Sequence, residues 1–159
     1  MEEIEKSISD RLDQLEATMQ SMDEVDCELQ HVFTPGVYSR TVLMPSGTLI
    51  VSRIHKTRHQ FCVKIGVVAV KNNANEWEIL SAPYDGITEP GTRRVLYTLE
   101  DTFWTTYHGV SIMPEDESEK AIKKAVNQVD ELILEKHVNP LLGGELKNNI
   151  LIKELQNEN

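Results

Sequence analysis

The sequence has few cysteines, no long apolar run and little positive charge, and each of these absences excludes a class of protein. Its two cysteines, Cys27 and Cys62, show neither C-x-x-C spacing nor a disulfide framework, so a reducing compartment is expected. No stretch approaches the roughly eighteen apolar residues of a membrane span, and the charged N-terminus lacks an apolar signal core. A formal net charge of −10 argues against binding to nucleic acid or anionic membranes. We therefore expect a cytoplasmic protein.

The few basic residues are unevenly distributed along the chain. Residues 33–110 carry eight Lys or Arg and six acidic residues, a formal charge of +2, whereas the two flanks together carry −12. A weakly basic segment within an acidic protein indicates an anionic small molecule as the binding partner.

Both ends of the chain have helical periodicity. Residues 2–24 place apolar side chains at three- and four-residue steps, and residues 115–137 do the same after acidic residues that suit a helix N-terminus. A shorter helix is expected over 145–155. The N-terminal apolar stripe is too long for one small barrel to cover together with the second helix, so we expect a homodimer or a higher homo-oligomer.

The region between the helices is typical of β-structure. Runs rich in Val, Ile, Thr and Tyr are separated by turn sequences such as PSG, APYDG and EPG, and they lie at 37–44, 48–55, 60–70, 76–81, 94–98 and 102–110. Strands at such short spacing, with no helical pattern between them, predict a sandwich or a barrel. We therefore divide the chain into an N-terminal helix and linker (1–32), a β-barrel (33–112) and C-terminal helices (113–159).

One of these strand-forming runs, SGTLIVSRIHKTRHQFCVKIG at 46–66, is rich in arginine and histidine. Gly47 is followed after five residues by Arg53, then by His55, by His59 after three more residues, and by Gly66 after six more. These spacings resemble the first motif of the cupins, a family whose motif places His-x-His and a Glu between two glycines. Arg53 stands where the first histidine would be and His59 stands where the glutamate would be, whereas His55 is unchanged.

A second segment, EPGTRR at 89–94, is similar to the Pro-x-Gly-x-x-His motif of the same family. Gly91 is in place, Glu89 replaces the proline, and Arg94 stands where the last metal-binding histidine would fall. The whole region resembles short cupin-like proteins of phages and bacteria, most of them without an assigned function. The resemblance implies an all-β core, a cupin-like double-stranded β-helix or jelly-roll barrel, with flanking N- and C-terminal α-helices. It also implies subunits that pair through their sheets.

The histidines of this region suit a transition metal. Alternation along the strand would place four residues on one face, namely Leu49, Val51, Arg53 and His55. His59 would approach His55 across a hairpin, and His108, on a strand face with Trp104 and Thr106, would be the third ligand. One divalent ion (Zn, Fe, Mn or Ni) is therefore a candidate cofactor. The alternative is that these histidines are ordinary turn or core residues.

The arginines favour a different ligand. Arg53 and Arg94, at positions where the family has metal ligands, would replace a metal with fixed guanidinium charge, which grips carboxylate or phosphate. They would instead be internal ion-pair partners if Glu89, Glu100 or Asp101 faced them. Two aromatic residues, Trp104 and Tyr107, are candidates for a ligand platform or for the core.

Three functions follow from these patterns. The first is a small-molecule-binding protein whose His/Arg-lined barrel pocket (Arg53, His55, His59, Arg94, Trp104 and Tyr107) holds an anion such as a sugar phosphate, a nucleotide or a carboxylate. The second is a metal-dependent enzyme of isomerase or oxygenase type that uses His55, His59 and His108. The third is a structural or assembly protein with an inert barrel. We favour the first, because arginines replace ligand-type residues, the family's carboxylates are missing and the middle of the chain is weakly basic. No nucleophile–base pair or phosphate loop is evident, which disfavours a metal-free enzyme.

Overall fold

The computed structural model describes residues 2–72, 76–136, 139–142 and 149–152. Two helices lie in these ranges, α1 (Glu2–Met19) and α2 (Glu119–Ile133), and neither is long and apolar enough to span a membrane. The strands are β1 (Leu29–Thr34), β2 (Val37–Met44), β3 (Thr48–Val51), β4 (His59–Ile65), β5 (Val67–Lys71), β6 (Trp77–Ser81), β7 (Tyr84–Thr88), β8 (Val95–Thr98), β9 (Thr102–His108) and β10 (Asn149–Leu151).

The strands form two five-stranded sheets with a jelly-roll connection. The first sheet has the order β1-β2-β9-β4-β7 and the second the order β10-β3-β8-β5-β6, and all pairs are antiparallel. From β2 to β9 the chain passes repeatedly from one sheet to the other, which is the winding of a double-stranded β-helix. The predicted fold class, an all-β barrel flanked by helices, is confirmed.

The two sheets enclose one apolar core. Buried side chains of the first sheet, such as Phe61 and Trp104, pack against buried side chains of the second, such as Ile50 and Leu96. Side chains on a strand alternate between faces, so the neighbours of Ile50 point outward. The prediction that Leu49, Val51, Arg53 and His55 share one face is wrong, because Leu49 and Val51 pack outside the barrel and β3 ends before Arg53.

Helix α1 covers the outer face of the second sheet. Its Met19 is fully buried together with Val51, Val95 and Ile150. The helix ends at Met19, five residues earlier than the predicted limit at residue 24. Much of the apolar stripe that suggested a homo-oligomer is therefore used within the chain, and the homo-oligomer stays a prediction.

Helix α2 closes one end of the barrel. Its N-terminus is defined by Ser118, whose side-chain oxygen accepts a hydrogen bond from the Ala121 amide at 3.2 Å, as an N-cap should. The helix therefore begins after residue 118 and not at residue 115. Its buried Val129 and Ile133 pack on Tyr38 at the start of β2. This contact places the C-terminal end of α2 against the barrel opening.

The predicted helix over 145–155 is wrong where the structure describes that segment. Asn149–Leu151 is a strand, β10, which pairs antiparallel with β3 at the edge of the second sheet. Ile152 follows the strand without helical structure, and residues 145–148 and 153–155 lie outside the described residues. Ile150 is fully buried against α1 and Val51, so tertiary contacts decide its conformation. The barrel also extends upstream of residue 33, because β1 begins at Leu29.

A glycine turn divides the run at 60–70 into β4 and β5. Gly66 has φ +98°, and a Cβ there would lie 2.2 Å from the Asp101 carbonyl oxygen. Only glycine fits this close approach in a left-handed conformation. Two further glycines of the motif spacings, Gly47 and Gly91, also have positive φ.

A buried ion cluster joins α1 to the barrel. Arg93 is 4% exposed and donates to Asp13 at 2.9 Å and also to Glu16, both on α1. Asn139 donates to the backbone carbonyl of Asp13 and to the Glu16 carboxylate. Buried carboxylates that lose their partner are strongly destabilising.

We expect Arg93→Ala to lower the free energy of unfolding by about 3 kcal/mol or more, because Asp13 and Glu16 would remain buried without their guanidinium. The matched control is Arg58→Ala, since Arg58 pairs with Glu89 on the surface, where an ion pair contributes roughly 0–1 kcal/mol. Chemical denaturation measures both. Equal losses in the two variants would contradict the role of the cluster.

Candidate functional site

Three histidine rings meet at the end of the barrel that α2 closes. The ring centroids of His55 and His59 are 4.7 Å apart, those of His59 and His108 are 4.5 Å apart, and those of His55 and His108 are 6.4 Å apart. His59 begins β4 and His108 ends β9, and the register of these neighbouring strands brings the two rings together. A β-bridge to Leu134, just after α2, holds the backbone of His55.

Two nitrogens of this cluster lack a hydrogen-bond partner among the described residues. The Nδ1 atom of His59 lies 3.0 Å from the Thr57 carbonyl oxygen, to which it donates in the neutral ring, and its buried Nε2 is unpartnered. The Nε2 atom of His108 lies 2.9 Å from Thr106 Oγ1, and its buried Nδ1 is unpartnered. A buried polar atom without a hydrogen-bond partner is unusual and indicates a contact with a ligand or with solvent.

The three rings are held neutral. Burial, together with the neighbouring imidazoles, lowers the pKa of His108 to about 3. Burial, His59 and the cation Arg94 lower the pKa of His55 to about 4. The pKa of His59 is also lowered, mainly by burial. Neutral imidazole can donate, accept or ligate a metal, so the cluster keeps all three abilities at neutral pH.

The histidines fit a metal in chemistry but not in arrangement. Unprotonated imidazole nitrogens are the usual ligands of zinc and related ions. Within the described ranges, however, no group of three His, Cys, Asp or Glu side chains is placed to hold a metal ion. Metal binding at His55, His59 and His108 would therefore require the rings to move.

Arg94 lies inside the barrel, where the motif spacing places it. It is 8% exposed, and its guanidinium carbon lies 4.8 Å from the Phe61 ring centroid and 5.7 Å from the Trp104 ring centroid. It donates to Thr88 Oγ1 at 2.6 Å and to Asn72 Oδ1 at 2.9 Å. Both acceptors are neutral, and among the described residues no carboxylate forms an ion pair with Arg94. Burial lowers its pKa to about 10, so it remains a cation.

None of the three acids considered as partners pairs with Arg94. Glu89 pairs with Arg58 on the surface. Asp101 accepts a hydrogen bond from the Ser46 backbone amide, and Glu100 lies in the same turn. Arg53 is exposed, and no ion pair involves it in the described part of the chain. Two guanidinium charges are thus left without a neighbouring carboxylate.

A cavity of about 380 Å³ opens beside these groups, between the two sheets and α2. Its polar lining residues are Arg40, Ser52, Arg53, His55, Thr106, Asp130 and Asn149, and its apolar ones are Cys27, Leu29, Val42, Met44, Ile50, Leu96, Trp104 and Leu134. Arg94, His59 and His108 do not line it, although Arg94 contacts Trp104 from within the barrel. The cavity size is within the range of small-molecule sites.

Arg40 is a cavity residue that sequence reasoning missed. It follows Tyr38 by two positions on β2 and so faces the same barrel interior, and its Nη2 lies 2.5 Å from Asp130 Oδ1 on α2. The period-two pattern Tyr38, Arg40, Val42, Met44 was the available signal. Asp130 could not be found in this way, because its approach depends on how α2 docks.

The two aromatic candidates lie on opposite faces of β9. Trp104 is buried in the core and lines the cavity. Tyr107 is separated from it by an odd number of positions and lies on the outer face of the sheet, near Gln60 and Asp85. The structure therefore does not bring Tyr107 to the same pocket as Arg53, His55 and Trp104.

Solved structures to which this chain is similar include two described as cupins. The cupin domain of Cnp3 from Schizosaccharomyces pombe is 17% identical, with 58% of this chain and 67% of that chain covered and a TM-score of 0.45. An RmlC-like cupin family protein with a double-stranded β-helix fold, from Methanocaldococcus jannaschii, is 8% identical, with 54% and 82% covered and a TM-score of 0.47. KdgF from Halomonas sp. is 20% identical, with 55% and 86% covered and a TM-score of 0.44.

The strand order by itself decides the fold. The protein has a cupin-like fold. No protein-family model and no curated protein matches the sequence. A cupin-like barrel hosts many chemistries, so function has to be argued from the side chains of this chain.

We expect the protein to lose stability as the pH falls from 6.5 towards 4. The folded pKa values of His55 and His108, about 4 and about 3, lie below the ordinary 6.5, so the unfolded state binds more protons in this window. Replacing one of these groups, as in His108→Gln, should reduce the slope of unfolding free energy against pH by about 1.4 kcal/mol per unit near pH 5. Denaturant titrations in the presence of a chelator measure it, and an unchanged slope would contradict burial of a neutral His108.

Proposed function

We propose that this cupin-like protein binds a small organic anion in the barrel cavity. The observation that carries the proposal is unbalanced positive charge. Arg53 on the cavity wall and Arg94 behind Trp104 have no carboxylate partner among the described residues, and the one carboxylate that lines the cavity, Asp130, is already bound by Arg40. Burying a cation without a counter-charge is unfavourable, and an anionic ligand would supply one.

Each basic group has a distinct part in this proposal. Arg53 is exposed at the cavity and is free to form a bidentate contact with a carboxylate or a phosphate. Arg94 is held in place by Thr88 and Asn72 and contributes its charge from inside the barrel. His55 is neutral and lines the cavity, so it offers a hydrogen bond without adding charge.

The cavity itself favours binding over covalent catalysis. The cavity contains one thiol among its lining residues, that of Cys27. Burial and the neighbouring Asp26 carboxylate raise the pKa of this thiol to about 11. A thiol with such a pKa is protonated at neutral pH and is a poor nucleophile.

We expect protein purified under mild conditions to carry a bound organic anion that native mass spectrometry detects and denaturation releases. Arg94→Gln should reduce the bound fraction, because the ligand loses the electrostatic attraction of a fixed cation beside the cavity, although Arg94 does not line the cavity. Arg58→Gln, which alters a surface arginine, should leave the bound fraction unchanged.

Two outcomes would contradict this function. Wild-type protein that carries no releasable anion would remove its support, and a defined oligomer without bound ligand would favour an inert barrel with an assembly role. Arg94→Gln protein that binds normally but melts at a much lower temperature would show that Arg94 is a structural residue.

A second candidate function, metal binding at His55, His59 and His108, is favoured by the unpartnered nitrogens of His59 and His108. Chelator-treated protein titrated with Co²⁺ should then develop the visible absorption of imidazole-bound cobalt. His59→Ala combined with His108→Ala should weaken Co²⁺ binding by at least roughly tenfold, whereas His31→Ala, outside the cluster, should not. Undiminished binding in the double variant would place the metal elsewhere.

A further inference from the structure

The distribution of polar and apolar groups around the cavity indicates what kind of anion it accepts. Among the lining residues, Arg53 is exposed, Asp130 and Asn149 are partly exposed, and the apolar Leu29 is 48% exposed. Met44, Ile50, Leu96 and Trp104, which form the floor, are 2–8% exposed. The accessible part of the cavity therefore combines a cation with an apolar side chain, and its base is largely apolar.

The apolar floor disfavours sugar phosphates and nucleotides. Such ligands carry hydroxyl groups along their whole length, and the floor residues Met44, Ile50 and Leu96 have no side-chain donor or acceptor to satisfy them. A buried hydroxyl without a partner is unfavourable. A ligand with a hydrocarbon body gains free energy from the same surface.

The charge at the opening limits the head group. Arg40 and Asp130 neutralise each other, so Arg53 is the cavity-lining cation without an ion-pair partner among the described residues. One guanidinium matches one carboxylate in a bidentate contact. The neutral imidazole of His55 also lines the cavity and is able to donate to the same oxygens, whereas the hydroxyl of Ser52 already donates to the Arg53 carbonyl.

The cavity volume limits the length of the ligand. A volume of about 380 Å³ lies near the lower end of the range for small-molecule sites, so the cavity suits a small ligand. Val42 and Met44 follow Arg40 on β2 at two and four positions, so the apolar wall extends roughly 7–13 Å along the strand from the charged level. Medium-chain and aromatic acids have these dimensions.

We propose that the ligand is a monocarboxylate with an apolar body of about ten non-hydrogen atoms, its carboxylate on Arg53 and its body on the floor of Met44, Ile50, Leu96 and Trp104. This inference rests on the proposed function and specifies its ligand class.

The test uses three probes that separate charge from apolar character. Octanoate has both, 1-octanol has the same chain without the charge, and ribose 5-phosphate has the charge with hydroxyls in place of the chain. Trp104 lines the cavity and Trp77 lies on the exposed edge strand β6, so Trp77→Phe leaves Trp104 as the reporter. Fluorescence titration of this variant should give octanoate at least about tenfold tighter binding than either other probe.

Two pairs of variants locate the ends of the ligand. Arg53→Gln should weaken octanoate binding by roughly tenfold, whereas Arg58→Gln should not. Leu29→Asn, at a half-exposed position on the cavity wall, should weaken it several-fold by removing apolar contact. Val32→Asn is the matched control, since Val32 is on the same strand and does not line the cavity.

The outcomes distinguish a failure of the proposed ligand class from a failure of anion binding itself. If ribose 5-phosphate binds as tightly as octanoate and Arg53→Gln weakens both, the anion site stands and the ligand class is wrong. If a bound anion is recovered from the protein but octanoate does not bind, the ligand class is again wrong. If octanol binds as tightly as octanoate, or if no probe binds and no anion is recovered, the proposed function fails as well.

Discussion

The burial of two adjacent arginines, Arg93 and Arg94, is the constraint on which both the docking of α1 and the charge inside the barrel depend. Arg93 and Arg94 precede β8 and point to opposite faces of the second sheet. Arg93 lies outside and is neutralised by two carboxylates of α1, so the helix is bound to the sheet by charge as well as by apolar contact. Arg94 lies inside, and its hydrogen-bond acceptors and ring contacts among the described residues are all neutral. This alternation places a charge-paired cluster on the outer face, and on the inner face a cation, Arg94, that forms no ion pair among the described residues.

The cation inside the barrel, Arg94, affects the histidines and the net charge of the barrel interior. Burial is the main cause that lowers the pKa of His55 and of His59, and Arg94 lowers both further, so these imidazoles stay neutral. The fixed guanidinium attracts anions, and the neutral histidines beside it add no charge of their own. Helix α2 adds Asp130, but Arg40 takes up this carboxylate. Within the described part of the chain, the interior therefore combines a cation that forms no ion pair with an apolar cavity floor, and this combination underlies the proposed ligand.

Much of the fold could be predicted from the sequence, and less of the site. The strand runs and the two long helices follow from local periodicity. His55 and His59 do meet, but the prediction that they meet across a hairpin is wrong, because β3 and β4 belong to different sheets and His55 bridges Leu134. The prediction failed at Asn149–Leu151, which pairs with β3 as a strand, and at Leu49 and Val51, which face α1 and not the cavity. Tyr107 could be assigned to the outer face only once the inner residues of β9 were known.

Local pattern by itself indicated a β-sandwich or a β-barrel between two helical ends, and the resemblance to the cupin motifs implied that Arg53, His55, His59 and Arg94 belong to one region of a barrel. These features depend on side-chain periodicity and on the glycine turns at Gly47, Gly66 and Gly91, which act over a few residues. Tertiary structure alone decided that Arg93 pairs with α1, that Asp130 reaches Arg40, and that the cavity floor is apolar. Those contacts join residues more than seventy positions apart, so they depend on how whole elements dock and not on any local sequence.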